Sequence, residues 1–167
     1  MSFTLYQTTL PVFVRGLSNL GRFLEKGRAS AEARNFPPEV LTGGRLAPDM
    51  HNLCRQVQIA SDTAKNAGAR LAGIAPPSYP DTETTFEELQ ARIAKTIAFL
   101  EDITAAQLEG SEARTIELKF PGREMKFTGA DYVSHFALPN FYFHLTTAYN
   151  ILRHNGVVIG KMDFMGA

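Results

Sequence analysis

Apolar residues recur along most of the chain in steps of three and four. Leu10, Phe13, Leu17, Leu20 and Leu24 fall on one face of a first helix that ends near Gly27. Pro11 lies inside that pattern and has no amide proton, which places it in the first turns or at a kink, with Phe3 and Leu5 upstream. A second stripe of Met50, Leu53, Val57, Ala60, Ala64, Ala67 and Leu71 predicts a helix from about Pro48 to a cap at Gly73. Its many alanines let a neighbour approach closely or leave room for an enclosed pocket. Thr84 and Glu87 have capping-box spacing, so a third helix starts near Thr84 with Phe86, Leu89, Ile93, Ile97, Leu100 and Ile103 on its apolar face. Glu88, Arg92 and Lys95 lie away from that face and read as a solvated surface. A fourth helix runs to about His154 with Gly156 as its cap, and Pro139 marks a break or its first turn.

Between Arg114 and Thr128 the period changes to two. Ile116, Leu118 and Phe120 alternate with Thr115, Glu117 and Lys119, and Pro121-Gly122 supplies a turn before Met125 and Phe127. A two-stranded ribbon is marginal alone, so its apolar face should cover the bundle or a pocket mouth. Asp131 to Phe136 reads as a short helical lead-in to the last helix. Asn35, Pro37-Pro38 and Gly43-Gly44 disfavour helix between Ala29 and Pro48 and predict a long crossing connection. The tail from Val157 to Ala167 is apolar enough to pack back on the bundle or on another subunit. The expected architecture is all-α: one four-helix bundle over residues 1–167, with a small β-hairpin before the last helix.

Composition narrows the functions. Lysine plus arginine equals aspartate plus glutamate at 17 each, so the net charge is zero and no basic stripe interleaved with aromatics points to nucleic acid. Met1 to Thr9 has neither the basic start nor the apolar run of a signal peptide, and no later segment approaches a membrane span, so a cytoplasmic protein with no membrane partner is expected. The lone Cys54 sits between Leu53 and Val57 and reads as a small buried hydrophobe rather than a nucleophile.

The last helix reads Asn140-Phe-Tyr-Phe-His144-Leu-Thr-Thr147-Ala-Tyr-Asn-Ile-Leu152-Arg153-His-Asn-Gly156. Together with Arg45-Leu-Ala-Pro-Asp-Met50, Gln56-Val-Gln-Ile-Ala60 and Leu138-Pro-Asn-Phe-Tyr-Phe-His144, it resembles the DinB-like superfamily of bacterial four-helix bundles over nearly the whole chain. Within it, these segments look like one of the families described only as a domain of unknown function. The resemblance implies the bundle fold and a divalent metal, often nickel or zinc, held by one histidine on helix two and an HxxxH pair on helix four. By position His144 matches the second histidine of that pair, Asn140 stands where the first is expected, and His51 is the nearest helix-two candidate. Two histidines four apart share a helical face and can converge on one ion. An amide oxygen is a poor ligand for such metals.

A helical wheel at about 100° per residue tests this set independently. His144 falls roughly 60° from the apolar centre of the last helix, at the core's margin. On helix two Asp49 and Gln56 lie near the inward edge, whereas His51 points roughly 150° away from the stripe. The polar residues expected to meet are therefore Asp49, Gln56, Asn140 and His144, as a small-molecule pocket near His144 or a degenerate metal site. His135 joins them only if Pro139 redirects the chain, and His154 reads as a last-turn residue favoured by the helix dipole. Asp62 and Lys65 read as a surface ion pair. Arg45 reaches an anion or fixes the long connection.

Two functions compete. The resemblance implies a metal-dependent small-molecule (thiol) transferase or isomerase, in which the ion acts as a Lewis acid and three protein ligands are needed. The other is a binding or assembly module. Phe136, Phe141, Tyr142, Phe143 and Tyr149 cannot all face one core from one helix, so some meet the hairpin, the tail or a second subunit, and a homodimer is expected.

Overall fold

The computed structural model describes residues 3–166; Met1, Ser2 and Ala167, at the ends of the segments read above, fall outside them. Helix α1 (Leu5–Ala33) opens with a capping box in which the Thr4 hydroxyl accepts from the Gln7 amide while the Gln7 side chain accepts from the Thr4 amide. Pro11 sits inside it, and the helix continues past Gly27 to Ala33. Gly27 is kept for packing: a side chain there would come within 3.0 Å of Leu152. A short helix, α2 (Glu39–Thr42), lies in the connection to α3 (Leu53–Ala72).

Helix α3 begins five residues later than the pattern suggests. Asn52 is its N-cap, accepting from the Arg55 amide, and Gly73 ends it in the left-handed region at φ 71°. Met50 and the residues before it therefore belong to the connection. Helix α4 (Phe86–Glu101) likewise starts one residue late, because its capping box is Thr85 with Glu88. Two 3₁₀ turns then lead to the hairpin, β1 (Thr115–Phe120) and β2 (Arg123–Thr128), paired antiparallel around Pro121-Gly122. Ile116 opposite Phe127 and Leu118 opposite Met125 form its inner face, while Glu117–Lys126 and Lys119–Glu124 pair on the outside at 3.4 and 3.9 Å.

After the hairpin the chain stays helical. Helix α5 (Gly129–Tyr132) passes through a π-helical turn, Val133–Ala137, directly into α6 (Leu138–His154). The wide turn precedes Pro139, which has no amide proton to give to the carbonyl one turn back. Gly156, at φ 84°, follows the end of α6, and α7 (Lys161–Met165) folds back on α1. There Phe164 stacks on Phe23, the Asn19 amide donates to the Phe164 carbonyl at 2.9 Å, and Lys26 pairs with Asp163.

Contacts set the directions of the four long helices. Gly16 meets Phe141 and Gly27 meets Leu152, so α1 and α6 run parallel; Ser61 meets Thr96 and Gly68 meets Leu100, so α3 and α4 do too. Gln56 meets His144 and Thr63 meets Asn140, which makes α3 and α6 antiparallel. The connection that runs the bundle's length is therefore residues 73–85, joining two parallel helices. The segment 34–52, expected to span it, instead crosses one end, where Arg45 fixes it by donating to the Met50 carbonyl.

A buried charge cluster secures the long connection. The Arg92 side chain is 1 % exposed and reaches Asp62 at 2.9 Å, Asp81 at 3.0 Å and Glu83 at 3.0 Å, the last two from the connection. Burial opposes its charge, but the three carboxylates outweigh that and raise its pKa. Lys65 joins through Asp62 at 2.7 Å, and Tyr79 is covered by Lys65 and Lys95, each 4.1 Å from its ring centre. Arg92 is thus no solvated residue, and Asp62–Lys65 is no simple surface pair.

Candidate functional site

Helices α3 and α6 bring three of the five selected residues inward. Gln56 is 1 % exposed, and its side-chain nitrogen donates to the His51 carbonyl at 3.0 Å. That bond turns its oxygen toward His144 Nδ1, 2.7 Å away. The oxygen can only accept, so Nδ1 carries the proton and Nε2 keeps a lone pair. Burial, then the positive charges of His51 and Arg55, lower the His144 pKa from 6.5 to about 4. The ring is neutral at pH 7. One turn back on α6, the Asn140 side-chain nitrogen donates to Thr63 Oγ1 at 2.8 Å.

Asp49 and His51 are not brought in. Both lie in the connection ahead of α3 and are exposed, because the helix starts at Leu53 rather than Pro48. The expectation that Asp49 lies on the inward edge of a helix is corrected by that start. His51 approaches the site only through its carbonyl and its charge. His135 is exposed beside Asp131 at 3.6 Å, since the π turn carries the helix on rather than redirecting it; His154 is exposed in the last turn. Cys54 is buried, with burial raising its pKa.

The expected metal ligands do not fit a three-ligand centre. Among the described residues no group of three or more His, Cys, Asp or Glu side chains is placed to hold a metal ion. His144 has committed Nδ1 to Gln56, Asn140 turns its nitrogen to Thr63, and His51 lies on the surface. At most two imidazoles could meet one ion, short of the three protein ligands of a catalytic zinc site.

A cavity of about 230 Å³ opens along α3 beside Asn140. Ile59, Thr63 and Asn66 form its floor, with Arg55 and Arg70 at its two ends. The hairpin supplies Leu118 and Phe120, and the helical turn before α6 supplies Tyr132 and Phe136, whose rings stack 5.8 Å apart. His144 lies one turn further along α6 and does not line it. A larger hollow of about 600 Å³ sits where α1 begins, lined in part by Thr4, Tyr6 and Leu108 and by none of the α3 or α6 side chains described above.

The floor of the groove is a second stripe on α3 that the sequence displays. Arg55, Ile59, Thr63, Asn66 and Arg70 repeat at steps of four, four, three and four, about 120° around the helix from the core stripe. Its mixed polar and apolar character hid it, because a solvated face has a similar pattern. Phe136 and the hairpin residues could not be assigned to it from periodicity at all.

The family model described as Domain of unknown function (DUF1993) matches residues 5–165. The chain belongs to that family. A solved structure of a DinB family member protein from Shewanella denitrificans is 45% identical to this DUF1993 chain, covers 98% of it and 92% of its own length, and superimposes with a TM-score of 0.88. The DinB-like bundle with its hairpin is thereby shown. No curated protein matches the sequence. Of the aromatics on α6 in this DUF1993 protein, Phe141 packs edge-on against Phe13 at 5.0 Å and Tyr149 meets the tail at Phe164. Phe136 meets the hairpin at Phe127, and Tyr142 and Phe143 stay 41 % and 57 % exposed.

Proposed function

We propose that this DUF1993 protein is a cytoplasmic binding protein for a small organic molecule, held without a metal in the groove between α3, the hairpin and the start of α6. The observation that carries the reading is the pairing of Asn140 with Thr63 at the groove's edge, next to the Gln56–His144 pair. Where the resemblance implies ligands for an ion, this chain makes hydrogen bonds, and the space beside them has an apolar wall and polar floor. The lining is about evenly polar and apolar, and an apolar wall facing convergent polar groups is what holds and orients a small ligand. The pocket expected at His144 thus moves one turn along α6, and His144 becomes a neutral residue outside the groove that fixes Gln56. No helix among the described residues is long and apolar enough to cross a membrane.

The thiol transferase or isomerase reading needs a third protein ligand that the donor set does not supply. An assembly role has its own support: Tyr142 and Phe143 are large, adjacent and exposed on α6.

The test is a fragment screen by amide NMR on tag-free protein, run before and after treatment with a chelator and accompanied by metal analysis. Fragments should shift the amides of Thr63, Asn66 and Asn140 equally in both samples. Shifts that require stoichiometric nickel or zinc, or a screen in which no fragment touches the groove, would sink the proposal.

A further inference from the structure

The charges along the groove are not equally committed. Arg55 is paired with Asp81 and also donates to Gln58 at 3.3 Å. Asp62, which also lines the groove, is neutralised by Lys65 at 2.7 Å and Arg92 at 2.9 Å. Arg70 differs. One of its nitrogens donates to the Tyr132 hydroxyl at 3.0 Å, and among the described residues it meets no carboxylate. The Asn66 side chain, one turn away, makes no hydrogen bond among the described residues, and Asn140 uses only its nitrogen.

Arg70 stands in the last turn of α3, where a cation complements the helix dipole. That accounts for a positive residue there, but a lysine or an outward arginine would serve the dipole equally. Here the guanidinium lines the groove, anchored through one nitrogen to Tyr132, with its other N–H groups free of partners among the described residues. A guanidinium fork offers two parallel donors, the geometry a carboxylate matches. Beside it the wall is flat and apolar: Phe136 stacks on Tyr132 with an interplanar angle of 19°.

We infer that the groove takes a small monocarboxylate with a flat apolar body, its carboxylate on Arg70 and Asn66 and its body against Phe136 and Leu118. The inference rests on the binding reading above and names its ligand class. Size agrees, because about 230 Å³ is below the roughly 300 Å³ at which drug-sized sites begin and suits a single-ring molecule. Charge agrees as well. One uncommitted cation balances one negative charge, whereas a phosphate would carry a second toward Asp62.

The probe is benzoate, titrated into the isotope-labelled full chain and followed by amide NMR, with benzamide as the uncharged control of the same shape. Saturable shifts at residues 66, 70, 136 and 140 are expected at millimolar benzoate, with benzamide at least tenfold weaker. Arg70→Gln should weaken benzoate at least tenfold while circular dichroism stays unchanged. Because Arg70 also holds Tyr132, Asn66→Leu is the second variant; it touches no buried bond and should weaken benzoate several-fold. Benzamide binding in the groove as well as benzoate does, or benzoate binding unaffected by both variants, overturns the carboxylate assignment and leaves the binding reading standing. Neutral and charged fragments alike missing the groove overturns both.

Discussion

His144 gives the sharpest prediction, because its state follows from two distances and a burial. In the folded chain its pKa is about 4, against 6.5 for an unperturbed ring. Between those values the unfolded chain binds a proton that the native chain refuses. Stability therefore falls as pH drops below 6.5 and, for this group, stops falling near pH 4. At about 1.4 kcal/mol per pH unit the interval amounts to about 3 kcal/mol. His144 is only 9 % exposed, so solvent screens little of this. The groups facing it are Gln56, the His51 charge and Arg55, and none supplies a counter-ion. Urea unfolding at steps from about pH 7.5 to 4, compared between the natural chain and His144→Asn, isolates the effect, since the carboxylates titrate in both. The variant keeps a donor for Gln56 but loses ring volume, so it should be less stable by about 1–2 kcal/mol at neutral pH. On acidification the gap should close and reverse. Parallel curves would refute the reasoning, as would an NMR titration of the ring with a midpoint near 6.5 or with the proton on Nε2. Gln56→Glu supplies the inverse test: a carboxylate on Nδ1 should move the midpoint upward.

Three further outcomes follow from the packing. Arg92→Met leaves Glu83 without its cation, while Asp62 keeps Lys65 and Asp81 keeps Arg55, which should cost about 2 kcal/mol; by calorimetry that is a fall of roughly 4–8 °C in Tm, with faster proteolysis in residues 73–85. Gly16→Ala puts a methyl 2.6 Å from the buried Phe141 ring and should cost about 1–3 kcal/mol in urea unfolding, while the half-buried Gly160, with nothing within 4 Å of an added methyl, tolerates alanine within experimental error. If the Tyr142–Phe143 face makes a dimer, sedimentation at micromolar concentration should give twice the chain mass, reduced to the single mass by Phe143→Glu; a monomeric natural chain would contradict it.

The chain's periodicities determined a great deal. Four amphipathic stretches, the hairpin at Pro121-Gly122 and the Gly73 and Gly156 caps are local matters of side-chain spacing and backbone freedom, and each element is present, although α1 runs six residues past Gly27 and α3 starts five residues late. The errors lie where two local signals competed or where tertiary contacts decided. Asn52, rather than Pro48, starts α3 because it can cap the Arg55 amide, and that shift of five residues took Asp49 and His51 out of the helix and out of the site. Arg92 sits on the polar side of its own helix, so only the arrival of Asp81 and Glu83 from a connection between parallel helices buries it.

The site divides in the same way. Gln56, Asn140 and His144 were legible as inward polar residues because a wheel needs only the helix they stand on. What they do there was decided by the antiparallel approach of α3 and α6. That approach set Gln56 against His144 and Thr63 against Asn140, turning prospective ligands into hydrogen-bonded pairs. The groove required a third element, since its floor is one helix, its wall another and its roof a hairpin distant in sequence. No single-element pattern contains that juxtaposition, and tertiary packing alone created it.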